Sequence, residues 1–497
     1  MLRLKDLKSV HLQKQYKNNL GEIMRKLVYD IINKLDIPEI TFADVRYTST
    51  DNQGIYFEKG ELKHIASNTD LPALGIRVLI NGCWGFAGTT VLNNFSIEKT
   101  IKKAISNAKI GSKFKNNKVI LKPEKPIRES YFYVPKEDPF KMDNQDKIQY
   151  IGNIAKKLTK NKKIVYSYAY YQFYRQYKIY ANTEGSFVDS LVYDTLPMMY
   201  VLASDGKETM SRKYPGDMNA GRGGFEHVRN FKFEENTDKI IEEAIALLSA
   251  PRIEEERADI IIGGGHLTLQ LHESAGHATE ADRIFGKEIS YAGKTFIKPE
   301  MIGNFRYGSD IVNIYSDSTD PNGIGFHIVD DEGIPGKKVD IVKNGILINQ
   351  QTSREIAPIL GLEPSSNMVA SYADDIPLIR MTNFCLAPGK GSLNELIKET
   401  ENGYYIDYTK SWSIGDNRNN FQFTTEIGWK IENGEIKHLV KEPTYYGITP
   451  EFWASCDRIC GPEEWKFYGT FHCGKGEPGQ TLHLAHGVAP ARFKNVV

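Results

Sequence analysis

Ala258-Asp-Ile-Ile-Ile-Gly-Gly-Gly-His266-Leu-Thr-Leu-Gln-Leu-His272-Glu273-Ser-Ala-Gly276-His277-Ala-Thr-Glu280-Ala-Asp282 gathers more metal-capable side chains than any other stretch of the chain. Two imidazoles with a carboxylate directly after the first are the ingredients of a metal-assisted hydrolase: ligands for zinc and a base for the attacking water. Ile260-Ile261-Ile262 predicts a short buried strand, and Gly263-Gly264-Gly265 a tight turn into a helix. Those glycines lack the Lys-Ser/Thr of a phosphate loop and the G-x-G-x-x-G spacing of a dinucleotide site.

Histidines four apart, as in HExxH, share one face of an α-helix. Here they are five apart, and five residues of ideal helix turn through roughly 500°, leaving the rings about 140° apart around the axis. The spacing predicts a local break, a π-bulge or a left-handed terminus, with Gly276 as the residue that tolerates it. A lone imidazole on an apolar segment is more often a packed, hydrogen-bonded histidine than a ligand. Two imidazoles with an interposed glutamate, followed by Glu280 and Asp282, outweigh that reading. His266, six positions before His272, has no such support and reads as structural.

Two histidines leave a catalytic zinc shell one protein ligand short. Glu280, Asp282, Cys456, Cys460, Cys473, His472, His483 and His486 all offer suitable chemistry. Cys456 and Cys460 lie four apart, suiting one helical turn, but no further Cys/His pair completes a tetrahedral site beside them. Glu273 reads as the general base, and Glu280 and Asp282 as carboxylates that orient an imidazole, with helix-surface charges as the alternative.

Outward from this segment, 497 residues exceed one ordinary core and imply two or three domains. With 63 basic and 63 acidic residues the formal charge is zero, which argues against direct nucleic-acid binding. The N-terminal Met1-Leu-Arg-Leu-Lys-Asp-Leu-Lys lacks the apolar core of a secretory signal, and no window approaches a membrane span. Five scattered cysteines suit reduced thiols and a cytoplasmic setting better than a disulfide framework.

Helical spacing runs from Leu20 to Leu35, and Ser96 offers a cap for a helix carrying Ile97, Ile101 and Ala104. Phe42–Tyr47 and Gly54–Glu58 read as strands around a polar turn, with Asn81-Gly82 turning between two later strands. The lysine-rich piece from Lys113 to Lys125 reads as a solvated connection. Tyrosine-rich Ile164–Tyr180 reads as a strand packed on a helix, with a peptide groove as the less common use of such a stripe. The expected class is α+β: an N-terminal α/β region over 1–235, with a candidate subdomain split near 111–145, then a β-rich domain over 236–497. In the second domain a partly closed, barrel-like sheet surrounds the metal-motif helix.

His272-Glu273-Ser-Ala-Gly-His277-Ala-Thr-Glu280-Ala-Asp282 resembles the HExxxHxxEGD motif of the TldD/PmbA family, in its metal-bearing TldD branch, departing only at Ala281 where the motif has Gly. Asp330-Asp-Glu-Gly-Ile-Pro-Gly336, Arg380-Met-Thr-Asn383, Cys473-Gly-Lys-Gly-Glu-Pro-Gly-Gln480, Gly75-Ile-Arg-Val and Trp84-Gly-Phe-Ala resemble further family segments, so the likeness spans nearly the whole chain. The resemblance implies Cys473 as third ligand, one zinc per active subunit, and hydrolysis of unfolded or extended peptides by metal-activated water. It also implies a homodimer, or a heterodimer with a paralog lacking the motif. The rival is a non-catalytic regulatory or peptide-binding subunit like the family's PmbA/TldE branch, described as a modulator of DNA gyrase. Retention of His272, Glu273, His277 and Cys473 argues for the enzyme. If Cys473 lies on a strand, His472 points to the other face.

Overall fold

The computed structural model describes residues 20–114, 117–286, 293–476 and 479–497. The charged N-terminal stretch from Met1, residues 115–116 of the lysine-rich connection and 477–478 of the terminal segment lie outside the described residues.

An eight-stranded sheet frames the N-terminal half, in the order Cys83–Thr89, Glu61–Ile80, Phe42–Glu58, Ile164–Asn182, Phe187–Ser204 and Arg128–Phe132, with two further short strands on Phe187–Ser204. Asn81-Gly82 turns as its sequence demands, with both residues at positive φ (49° and 73°). Phe42–Glu58 is one continuous strand where the sequence suggests two around a turn. Its polar middle is buried and paired: Arg175 donates from Nε to Asp51 Oδ2 (2.7 Å), and Lys147 from Nζ to Gln53 Oε1 (2.5 Å). Those partners lie 124 and 94 positions away, so a local pattern reads the segment as solvent-facing. The second long helix is Asn94–Gly111, capped by Asn93, whose side chain accepts from the Ser96 N–H (2.8 Å), so Ser96 lies within the first turn.

Four helices cover one face of this sheet. Leu20–Leu35 and Asn94–Gly111 pack on Val45, Tyr47, Ile76, Val78 and Ile179, while Asn144–Leu158 and Phe233–Ser249 pack on Ile55, Phe57, Tyr171, Phe173 and Met199. Alternation along the strands sends the other set of side chains toward the C-terminal half. There Arg77 donates from Nε to Asp44 Oδ2 (2.8 Å), from Nη2 to the Asp331 carbonyl (2.9 Å) and from Nη1 to Glu332 Oε1 (3.3 Å). Lys178 pairs with Asp331 (2.6 Å), and Arg46 Nη2 donates to the Asp375 carbonyl (2.9 Å). The glycine-rich segment Asp330–Gly336 is thus a dock for the first sheet.

A seven-stranded sheet organises the C-terminal half, in the order Glu435–Lys441, Asn420–Glu432, Asn402–Ile414, Ala258–Ile262, Ala491–Val496 and Cys456–Ile459, with Thr444–Ile448 also on Asn420–Glu432. Ala258–Ile262 runs parallel to Asn402–Ile414 and antiparallel to the C-terminal strand. It feeds the helix Gly264–Leu271. Lys466–Lys475 and Gln480–Val488 form a separate hairpin against that helix, and a four-stranded sheet meets the hairpin through its strand Phe384–Leu386. Among the described residues no sheet closes on itself, and the C-terminal half is built from several open sheets. No helix of these residues is long and apolar enough to cross a membrane, and all five cysteines are free and buried.

Arg77→Met is expected to leave the buried Asp44 and Glu332 carboxylates short of their cation and to cost about 3–5 kcal/mol, read as a lower urea midpoint. A change below 1 kcal/mol would remove this network from the contacts that join the halves.

Candidate metal centre

The strand Ala258–Ile262 ends at Gly263, where a Cβ would fall 2.2 Å from Asp407 Oδ2; at Gly264 it would fall 2.2 Å from the Tyr468 hydroxyl. Close approach explains these glycines. The helix they open is entirely buried by its end, and His266 within it bonds to Thr409 Oγ1 through Nδ1 (2.8 Å) and to the Tyr445 hydroxyl through Nε2 (3.0 Å). Burial pushes its imidazole down to about 3. His266 is a structural histidine.

From His272 to Gly276 the helix widens into a π-turn, closed by the His277 N–H on the His272 carbonyl. An i→i+5 turn sets residues five apart nearly over one another, the arrangement that the HExxxH spacing needs. The two rings stand 4.6 Å apart, centroid to centroid, at 86°. Gly276 itself has ordinary right-handed angles (φ −61°, ψ −66°). Its lack of a side chain matters because a Cβ would sit 2.1 Å from Met381 Sδ. Ser274 locks the widened turn: its hydroxyl donates to the Gln270 carbonyl (2.5 Å) and accepts from Trp453 Nε1 (2.9 Å), while the Tyr307 hydroxyl donates to its carbonyl.

The hairpin strand Lys466–Lys475 brings Cys473 to the rings, its Sγ 3.6 Å from His272 Nε2 and 3.7 Å from His277 Nε2. The three ligand atoms lie within 4.8 Å of one another, and all three residues are buried. A tetrahedral zinc about 2.3 Å from sulfur and about 2.0–2.1 Å from nitrogen requires a sulfur–nitrogen separation of about 3.6 Å, which the observed distances meet. The donor set fits zinc.

The hydrogen bonds behind the rings decide which nitrogen faces inward. His486 Nδ1 donates to the Phe384 carbonyl (2.9 Å), so its Nε2 must accept, and it accepts from His272 Nδ1 (2.8 Å). His277 Nδ1 lies 3.0 Å from Glu280 Oε2 and 3.3 Å from Arg283 Nη2; the shorter contact is to an ionised carboxylate, which only accepts, so Nδ1 donates to it. Both Nδ1 atoms therefore carry the proton, and both Nε2 lone pairs converge on the cysteine sulfur. Burial disfavours charge on His272 and, together with the nearby His272, holds His486 well below the ordinary histidine value. Burial opposes ionisation of Cys473, yet His277 and Arg380 outweigh it and hold the thiol below its usual range. Neutral imidazoles and a thiolate are the state in which these groups bind a cation.

Glu273 lies beside the cluster with its Oε2 accepting from Arg418 Nη1 (2.6 Å). Burial opposes its ionisation, but His272, His277 and Arg418 hold it below the ordinary glutamate value. Glu280 also accepts from Arg283 Nε (2.7 Å) and lies 3.2 Å from Lys475 Nζ, and these cations with His277 keep it ionised against burial. Among the described residues Asp282 touches no imidazole; it pairs with Lys475 (2.8 Å), whose ammonium also donates to the Ile379 carbonyl (2.6 Å). That pair ties the motif to the strand carrying Cys473, two residues away.

His472 is exposed on the opposite face of its strand, His483 stacks on Phe471 (3.8 Å between centroids), and Cys456 and Cys460 lie at the strand Cys456–Ile459 rather than on a helical turn. His486, weighed from sequence as a ligand, instead accepts the His272 Nδ1–H. Arg418 carries no sequence signal, since it sits in a polar turn that reads as solvent-facing. Lys475 stands within the quoted Cys-Gly-Lys segment, which was its one available hint.

Three family models match the chain: PmbA/TldA metallopeptidase domain 1 over residues 43–108, the central domain over 137–250 and the C-terminal domain over 255–476. A metalloprotease of Methanocaldococcus jannaschii is 28% identical over 450 residues, 90% of this chain and 94% of that one. A zinc metalloprotease TldD homolog of Saccharolobus solfataricus is 26% identical over 475 residues, 94% of this chain and 99% of that one. Among crystal structures, TldE of Thermococcus kodakarensis aligns over 95% of this chain and 99% of its own, with a TM-score of 0.69 at 16% identity. A Thermotoga maritima protein described as a candidate modulator of a DNA gyrase aligns over 96% and 99%, with a TM-score of 0.73 at 21% identity.

Gly276→Ala is expected to cost about 1–3 kcal/mol through overpacking against Met381. Combining it with Met381→Ala should cost less than the sum of the single changes, as chemical denaturation would show. Strict additivity would place the constraint on Gly276 elsewhere.

Proposed function

Because the chain belongs to the PmbA/TldD metallopeptidase family, we propose that it is a zinc-dependent peptidase of the TldD type, hydrolysing unfolded or extended peptides. The observation that carries this reading is the convergence of two fixed Nε2 lone pairs and the Cys473 sulfur at zinc-like spacing, with Glu273 beside them. His272, His277 and Cys473 would hold one zinc. Bound there, zinc would polarise the scissile carbonyl and acidify the attacking water. Glu273 takes the proton from that water on a carboxylate oxygen and returns it to the departing amine nitrogen. Glu280 and His486 hold the two imidazoles in the tautomer and orientation that this requires. Asp282 serves the site by anchoring Lys475.

A non-catalytic regulatory or peptide-binding role is disfavoured, since binding alone does not call for a carboxylate base beside two oriented imidazoles and a thiol. The similarity to TldE supports assembly as a dimer, either with itself or with a paralog lacking the motif. Free cysteines support a reducing, cytoplasmic setting.

Purified protein is expected to carry one zinc and to cleave an unstructured peptide. Glu273→Gln should retain the metal and lose about 10²–10⁴-fold in turnover, whereas Cys473→Ser should lose the metal. Full cleavage by Glu273→Gln would move the base elsewhere.

His486→Phe leaves the His272 Nδ1–H without its acceptor and is expected to weaken zinc binding about 10–100-fold, measured by competition with a chromophoric chelator. An unchanged affinity would show that His272 needs no such support.

A further inference from the structure

Resting on the peptidase reading above, the geometry points to Arg418 as a positioning residue for Glu273. Arg418 occupies the turn between Asn402–Ile414 and Asn420–Glu432, where a side chain ordinarily faces water, yet only 3% of it is exposed. Its φ of 61° lies in the left-handed region, which costs a residue with a Cβ about 1–2 kcal/mol. Such a conformation persists only where its surroundings over-determine it. Here the Arg418 N–H donates to the Gly415 carbonyl (2.7 Å), the Thr449 hydroxyl donates to the Arg418 carbonyl (2.8 Å), and the Thr449 N–H donates to the Asn419 carbonyl (2.8 Å).

The result of that strained backbone is a guanidinium directed inward, with Nη1 donating to Glu273 Oε2 at 2.6 Å. A charge-assisted bond of this kind is short and directional. It restrains rotation of the carboxylate, which no helix hydrogen bond can do. The anchor of the turn also belongs to the site: Thr449 opens the helix Thr449–Ala454, and Trp453 in that helix donates to Ser274, the residue after Glu273. One short helix therefore references both the base and the cation that aims it. A surface ion pair would require neither the left-handed residue nor this shared anchor.

Arg418 acts through Glu273, and its removal should leave the metal ligands undisturbed. Arg418→Ala is expected to retain one zinc per chain and a KM within about twofold, while kcat falls about 100-fold, the scale at which a misplaced group loses its reaction geometry. Arg418→Lys should recover part of that loss, and millimolar guanidinium chloride should raise the turnover of Arg418→Ala but not of Glu273→Gln. Adding Arg418→Ala to Glu273→Gln should slow cleavage no further. If the alanine variant fails to fold, Arg418→Gln, which keeps volume and an N–H donor, reads the same comparison. Wild-type kcat in Arg418→Ala, loss of zinc from it, or a further 100-fold loss in the double variant would each overturn the role. Wild-type protein that binds zinc and cleaves no peptide would instead overturn the peptidase reading, and the positioning role with it.

Discussion

One added residue between two histidines sets the geometry of the whole centre. With i→i+4 bonding throughout, His272 and His277 would face apart; the i→i+5 closure from His277 to His272 turns both inward. That closure is weaker than regular helix and has to be held from outside. Ser274 meets Gln270, Trp453 and Tyr307, and Gly276 accepts the packing of Met381 and a hydrogen bond from Gln351 to its carbonyl. All of these partners except Gln270 come from distant parts of the chain. The motif is short, but the condition that makes it a site is tertiary.

The same dependence explains what could be read locally. The His272–Asp282 spacing announced a metal motif and a helix break because both follow from residues within one turn. The position of the break was legible, and its π form was one of the two the spacing allowed; the part played by Gly276 was not, because it appeared to supply backbone freedom and it supplies space. The interrupted strand Phe42–Glu58 was misread for a related reason, since buried polar side chains paired across the sheet look like a turn when their partners are unknown. His486 and Arg418 define the limit. Each lies more than 140 positions from the group it supports, and neither belongs to a periodic or motif pattern.

The electrostatics of the pocket follow from how its charges are shared. Glu280 is ringed by Lys475, Arg283 and His277, so its carboxylate stays ionised in a buried place and keeps the proton of His277 on Nδ1. His272 has a neutral partner in His486, backed only by the Phe384 carbonyl. The two imidazoles are therefore held differently, one by an anion and the other by a dipole. The ionised Glu280 thus stands behind His277, and the neutral His486 behind His272.

That placement bears on the role of Glu273. A base crowded by anions would hold its proton and act poorly, whereas His272, His277 and the Arg418 guanidinium all favour the ionised form of Glu273. Burial pulls the other way, and the balance still leaves the carboxylate ionised. Lys475 completes the division by serving two carboxylates at once, Glu280 at 3.2 Å and Asp282 at 2.8 Å, from the strand that delivers Cys473. Ligand delivery and charge balance are thus consequences of one hairpin docking on one widened turn, and separating the two elements would dismantle both together.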